Sequence, residues 1–404
     1  MSGKWPGGFI TKTAPTVVGP VDGEGGSASG VWTLDQVADY VKQGLWPLPA
    51  LDKELYAWGQ NGSGQLGQNN TTQYSSPVQV GSLTTWLQVS AGYRFTLSIK
   101  TDGTLWSWGQ NYAGQLGQGD VTDRSSPVQV GSLTTWSEIA LGSDFTLATK
   151  TDGTLWAWGR NSVGQLGLGN TTYRSSPVQV GALTNWLYVA GGNSFSLATT
   201  TDGKLYAWGN GGTGQLGLGN TTDRSSPVQV GALTTWDKVW AGGDWSLATK
   251  IDGTLWSWGV NSLGQLGLGD TTNRSSPVQV GALTTWSQVS AGQFHSLATK
   301  TDGTLWTWGY NLNGQLGLGN TTNYSSPVQV GALTTWLSVA GGYRHSLATK
   351  TDRTLWAFGL NSSGQLGLGD ITSRSSPVQV GALTTWYALP KMPVSLFSVV
   401  ISKS

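Results

Sequence analysis

Short runs of alternating apolar and polar residues recur along this chain at a fixed spacing of fifty positions. In one unit, Thr104-Leu105-Trp106-Ser107-Trp108 alternates as an aromatic-rich β-strand does, and Pro127-Val128-Gln129-Val130 is a second, shorter run with proline at its first position. Residues 136–141 form a third run and Phe145-Thr146-Leu147-Ala148-Thr149 a fourth. Asp152-Gly153 then leads into Leu155-Trp156 of the next unit, and Asp-Gly is a dipeptide that two-residue hairpins favour. A stretch patterned on WGxNxxGQLGxG follows the first run, and its Gly-Gln-Leu-Gly core occurs in all seven units, with the glutamines at Gln65, Gln115, Gln165, Gln215, Gln265, Gln315 and Gln365. Four short strands per unit, seven times over, predict an all-β fold: a seven-bladed β-propeller of four-stranded antiparallel blades over residues 51–404.

The phase of the repeat predicts how the ring closes. If the strand from Trp136 opens a blade, each blade takes two strands from one unit and two from the next. The strands at 56–58 and 77–80 then lack a preceding partner, and the C-terminal run 394–401 should pair beside residues 54–58. Residues 1–50 stand outside the repeats. Up to Gly30 they are rich in Gly, Pro, Ser and Thr and read as an arm without a core of its own. Residues 33–44 then read as a short amphipathic helix: Thr33 and Gln36 have capping-box spacing, Leu34, Val37, Ala38 and Val41 share one stripe, and Gly44 marks the end. Trp32, Leu34, Val37, Val41 and Trp46 form a candidate attachment surface.

Composition narrows the function. Charged residues are 11% of the chain and the formal charge is +1 with no Lys/Arg run, so there is no electrostatic footprint for nucleic acid. The absence of cysteine excludes disulfides and thiol chemistry. No run of apolar residues is long enough to insert in a membrane, and the first residues do not lead into a signal-peptide core.

The succession WGxNxxGQLGxG, SSPVQV, then AGxxHSLA and a DG turn resembles the repeat of the regulator of chromosome condensation family, from Leu51 to Val400. The resemblance implies a propeller and leaves the function open, since that family includes exchange factors, ligase accessory domains and an ultraviolet sensor. The chain departs from the pattern where AGxxHS has histidine: Phe95, Phe145, Phe195, Trp245, His295, His345 and Ser395 stand there. The segment Ser29 to Pro47 resembles a linker of structural proteins in tailed bacteriophages.

Candidate chemistry is sparse. The two histidines lie where sister units carry Phe or Trp and read as core residues, and the aspartates of the DG turns serve turn geometry. Asn70, Asp120, Asn170, Asn220, Asp270, Asn320 and Asp370 mix amide and acid at one position, which argues against calcium. Of 23 tryptophans, most recur at three positions that suit blade packing, and the glutamines of GQLG suit loop backbone groups. No catalytic residue, cofactor or metal is expected.

Because strands alternate in direction, the AGxx and WGxNxxG loops should emerge on one face and the TDGT and GALTT turns on the other. The turns are nearly identical among copies, whereas the loops diverge toward Tyr, Trp, Phe, Arg and Asn, residues that favour contact surfaces. The candidate binding residues are Tyr93, Arg94, Tyr112, Asp144, Arg160, Asn193, Asp244, Trp245, Phe294, Tyr310, Asn313, Tyr343 and Arg344. The expectation is a non-enzymatic phage virion protein, a tail fibre or other appendage assembled in the host cytoplasm. Residues 1–50 would hold other virion proteins and the loop face would take a host glycan or protein. A decoration protein without receptor binding and an intracellular regulatory interaction module are the alternatives, and self-association stays open.

Overall fold

The structure is a computed structural model that describes residues 52–403, together with a two-stranded ladder in which Lys4–Trp5 pairs with Gly8–Phe9. The expected helix over 33–44 and the attachment residues Trp32, Leu34, Val37, Val41 and Trp46 lie outside the described residues. Residues 53–403 form seven four-stranded antiparallel sheets, as the repeat predicts. Blades 1 to 6 span residues 86–129, 136–179, 186–229, 236–279, 286–329 and 336–379. Blade 7 combines Trp386–Ala388 and Phe397–Lys403 with Lys53–Gly59 and Tyr74–Gln79.

First strands line the central cavity through residues such as Ala140, Ala190, Trp240, Ser290 and Ala388, so they are innermost. Fourth strands form the outer edge. Proline does not open the outer strand as the sequence pattern suggested: Pro127 lies inside Arg124–Gln129, past a bulge between the pairs Ser107↔Val128 and Gly109↔Arg124. An edge position tolerates it because no neighbouring strand needs its missing N–H.

Adjacent blades are joined through one carbonyl. The backbone oxygen of Gln115 accepts the indole N–H of Trp158 at 2.9 Å and the hydroxyl of Thr146 at 2.9 Å, both from the next blade. Gln65, Gln165, Gln215 and Gln265 repeat this double acceptance, and blade 7 docks on blade 6 through Trp58 and Ser398 at Gln365. Only Gln315 lacks the indole, since Phe358 replaces tryptophan there and Ser346 alone donates. The flanking glycines permit the approach: a Cβ on Gly114 would lie 2.5 Å from the Ser175 backbone, and one on Gly117 2.7 Å from the Trp158 indole nitrogen. The glutamine side chain serves its own loop, with Gln115 Oε1 accepting the Ala113 N–H at 2.9 Å.

Around this joint, Trp136 meets Trp158 at 5.9 Å and Trp156 at 6.3 Å, and the Lys150 ammonium sits 3.6 Å from the Trp156 ring centre. Edge-on indole pairs add roughly 0.5–1.5 kcal/mol each beyond their area.

Ring closure follows the expected pairing, from Lys53↔Lys403 to Gly59↔Phe397. The closing strand is displaced by two residues relative to its sisters: Phe397 faces Gly59 as Phe95 faces Gly109. Phe397, not Ser395, therefore occupies the histidine position of the seventh copy, correcting the alignment read from spacing alone. The closing first strand is cut to Trp386–Ala388, and the Lys391 carbonyl accepts the Ala91 N–H at 2.9 Å beside the inner strand of blade 1.

His295 and His345 are fully buried. Ser346 already donates to the Gln315 carbonyl, so its oxygen accepts from His295 Nε2 at 2.8 Å, which makes His295 the neutral Nε2–H tautomer. His345 stands in the same relation to Ser398 at 3.0 Å. Burial, and for His295 also the neighbouring His345, pushes both imidazoles down to about 3.

Three outcomes are expected. A chain ending at Pro390 loses the strand that pairs with Lys53–Gly59, so limited proteolysis should cut within residues 52–80; unchanged protection would refute this closure. The histidines stay neutral in the fold but charge near pH ~6.5 when unfolded, so their stability contribution is complete above that pH and declines as pH falls toward about 3. Urea titrations between pH 7 and pH 4.5 should show that loss, at most about 1.4 kcal/mol per histidine per pH unit, and His295→Phe with His345→Phe should flatten it. Arg353 holds φ +63° at a turn position where sister units have glycine, so Arg353→Gly should raise stability by about 0.5–1 kcal/mol in denaturant titrations.

Candidate functional site

The loops between first and second strands form a backbone ring around the axis. Tyr93 N–H donates to Ser143 O, Ser143 to Gly192 O, Asn193 to Gly243 O, Gly243 to Gln293 O, Gln293 to Gly342 O and Tyr343 to Ser395 O, at 2.8–3.3 Å. At blade 7 the relay turns aside, with Ser395 N–H donating to Met392 O. The longer loops dock on this ring: Gln110, Arg160, Asn210, Val260, Tyr310 and Leu360 N–H bond the carbonyls of Arg94, Asp144, Ser194, Asp244, Phe294 and Arg344. Both divergent loops thus share one face. The TDGT and GALTT turns meet on the other, as in the bond from Trp136 N–H to Gly103 O.

The structure sorts the candidate residues into two sectors. Over blades 5, 6 and 1, Phe294 contacts Tyr310 at 5.9 Å and Tyr343 at 5.6 Å, and Tyr343 contacts Tyr93 at 6.3 Å. Tyr343 and Tyr93 meet across blade 7 because the seventh copy supplies only the small, buried Ser395 at their position. The Arg344 guanidinium lies 5.2, 5.5 and 5.8 Å from the rings of Tyr343, Tyr310 and Phe294, and Arg94 lies 5.2 Å from Tyr93. Asn313 lies in the blade 5 loop, its N–H bonded to Gln315 Oε1 at 3.0 Å.

Over blades 1 to 4 the face is acid and amide. Arg160 pairs with Asp144 at 3.6 Å, and Tyr112 is 52% exposed beside them. Burial, then the hydrogen bond and charge of Asp144, push the Tyr112 phenol up. Ser143 bonds Asn193 at 3.1 Å, and Asn193 donates to Asp244 at 3.0 Å. Burial holds the Asp244 carboxyl above its usual range, and the Asn193 bond only partly opposes this.

Trp245 does not belong to this surface. It is 1% exposed and donates its indole N–H to Gln293 O at 3.2 Å, because it fills the inward position that Phe or His takes in sister blades. Asp144 is also buried, at 8% exposure, and contributes through Arg160 and Tyr112. Asp120, Asp270 and Asp370 each hold the arginine four residues on at 2.6 Å, which gives these loop acids a structural role.

Divergent residues also surround the inner mouth on the turn side, a set the sequence reading passed over. Gln88, Glu138, Tyr188, Lys238, Gln288 and Ser338 occupy one position of the first strand. Gln88 Nε2 bonds Glu138 at 2.9 Å, and Lys391 reaches across from the shortened strand to pair with Glu138. Trp240 and this C-terminal segment line an axial cavity of about 320 Å³. Comparing residues 88, 138 and 188 by repeat position would have exposed the variation; the reach of Lys391 depends on the irregular closure.

A model of the RCC1-like domain matches residues 49–285, and models of the regulator of chromosome condensation (RCC1) repeat match 302–349, 353–386, 286–315 and 336–365. No curated protein sequence matches the chain. Among solved structures, Prp20p from Saccharomyces cerevisiae is 21% identical with a TM-score of 0.79, over 88% of this chain and 93% of that one. Human WBSCR16 is 24% identical with a TM-score of 0.77, over 87% and 99%. Both share the fold. With the RCC1-like domain model spanning more than half of its length and the repeat models continuing through blade 6, the chain belongs to the RCC1-like repeat family.

Proposed function

We propose that this propeller is a non-catalytic protein-interaction module whose loop face docks one irregular partner. The observation that carries the reading is the unbroken run of Tyr93, Tyr343, Phe294 and Tyr310 with Arg94 and Arg344 against it, assembled from positions where the repeats differ. Aromatic and arginine side chains are the residue types whose truncation costs most at protein interfaces. Dissimilar sites on a near-symmetric disc suit a single asymmetric partner better than several copies of one ligand.

Relatives support the regulatory form of this reading. Prp20p is described with binding properties toward Gsp1p and histones, so this fold can serve as a protein-binding platform. The virion setting, with residues 1–50 attached to other virion proteins and a host glycan or protein at the loop face, rests on the sequence of residues 29–47 alone. The propeller and its relatives favour the regulatory module.

The test is affinity capture from the cells that make the protein, comparing the native chain with two variants. Tyr93→Ala, Phe294→Ala and Tyr343→Ala together should reduce partner recovery at least tenfold, the effect of losing about 1.4 kcal/mol. Leu183→Asp with Leu233→Asp, in exposed turn-side positions, should leave recovery unchanged. Recovery that depends only on the turn-side pair would overturn the assignment of the face.

A further inference from the structure

The two sectors of the loop face differ in how their charges are satisfied. In the acid sector Asp144 has Arg160 and Asp244 has the Asn193 amide. Among the described residues the guanidinium groups of Arg94 and Arg344 have no carboxylate or hydrogen-bond partner: that of Arg94 lies over Tyr93 and that of Arg344 over Tyr343, Tyr310 and Phe294, and each Nε is buried without an acceptor. Arg124, Arg274 and Arg374 each bind an aspartate, and among the arginines of the described residues a buried Nε without an acceptor is found at Arg94 and Arg344 alone. A buried N–H without an acceptor is costly, and a guanidinium placed over aromatic rings keeps its remaining N–H groups for bidentate binding of a carboxylate.

We infer that Arg94 and Arg344 form a two-point receptor for an acidic peptide segment of the partner, with the Tyr93–Tyr343 contact as an apolar saddle between them. The inference rests on the loop-face reading above and adds the chemistry of what docks there. Two carboxylates of an extended segment would each take one guanidinium edge, and the side chain between them would lie on the tyrosine rings. The shallow seventh blade creates the saddle, since Ser395 leaves the two tyrosines free to meet. In the acid sector Arg160 is already occupied by Asp144, so that side of the face competes little for the same segment. With two charge-assisted contacts at an open surface, the affinity should fall steeply with added salt.

The probe is a fluorescein-labelled peptide alternating glutamate and tyrosine, with a matched glutamine–tyrosine peptide and a fluorescent uronic-acid oligosaccharide as the other arms. Fluorescence polarisation should show the glutamate peptide binding at least tenfold tighter than the glutamine peptide at low salt, with that advantage shrinking as sodium chloride is raised. Arg94→Gln with Arg344→Gln should remove the preference; Arg124→Gln should leave it intact, and thermal melts would verify that each variant folds. Equal binding of both peptides, an unchanged preference in the double variant, or binding of the oligosaccharide alone would overturn the acidic-peptide assignment. Those results leave the broader reading testable, because capture of a partner that depends on Tyr93, Phe294 and Tyr343 while ignoring Arg94 and Arg344 would retain a docking face and discard only its acidic ligand.

Discussion

One carbonyl oxygen per blade carries the joint on which the ring depends. In every GQLG loop but that of Gln315, where Phe358 leaves the hydroxyl alone, the glutamine backbone accepts two hydrogen bonds from the following blade, the indole N–H and the second-strand hydroxyl converging on the same atom. Both donors come from buried side chains on strands of one sheet, so the bond pair fixes the separation of neighbouring blades and their rotation about the axis. Net worth per hydrogen bond is only about 1 kcal/mol, but a broken one would leave a buried polar group exposed to no water, which is the larger penalty. Glycines beside the glutamine let the loop come that close, and the indole edges packed around it exclude solvent.

This arrangement explains why the faces can differ. Trp, Ser/Thr, Gly and Gln of the joint are bound by geometry and recur in nearly every copy, whereas the outward residues of the AGxx and WGxN loops contribute only their backbone to the axial ring. Their side chains are free to vary without loosening a blade. The loop face could therefore acquire an arginine and aromatic sector on one side and an acid and amide sector on the other while the scaffold stayed regular.

The seventh blade is where regularity breaks. Its strands come from both ends of the propeller, the closing strand is displaced by two residues, and its first strand stops after three. The freed segment runs along blade 1 and sends Lys391 toward Glu138, and its small Ser395 opens the gap that Tyr93 and Tyr343 close. The asymmetry of the candidate site thus has a topological origin as well as a chemical one.

The repeat period, the strand assignments, the four-stranded blades and the pairing of the two ends were all legible in the residues, because alternation and turn chemistry are local and a seven-fold repetition amplifies them. That both loop sets share a face also followed from strand alternation. Three features were decided only by tertiary structure. Trp245 reads as a variable loop residue yet points inward, since residue spacing does not report which side of a blade a side chain faces at a loop's end. The equivalence of Phe397 with Phe95 required the strand register, because two extra residues in a connection leave no periodic trace. The meeting of Tyr93, Tyr343, Phe294 and Tyr310 depends on closure of a ring that brings the first and sixth blades to either side of the seventh, and contacts between residues 250 positions apart are set by packing in space rather than by any local preference of the chain.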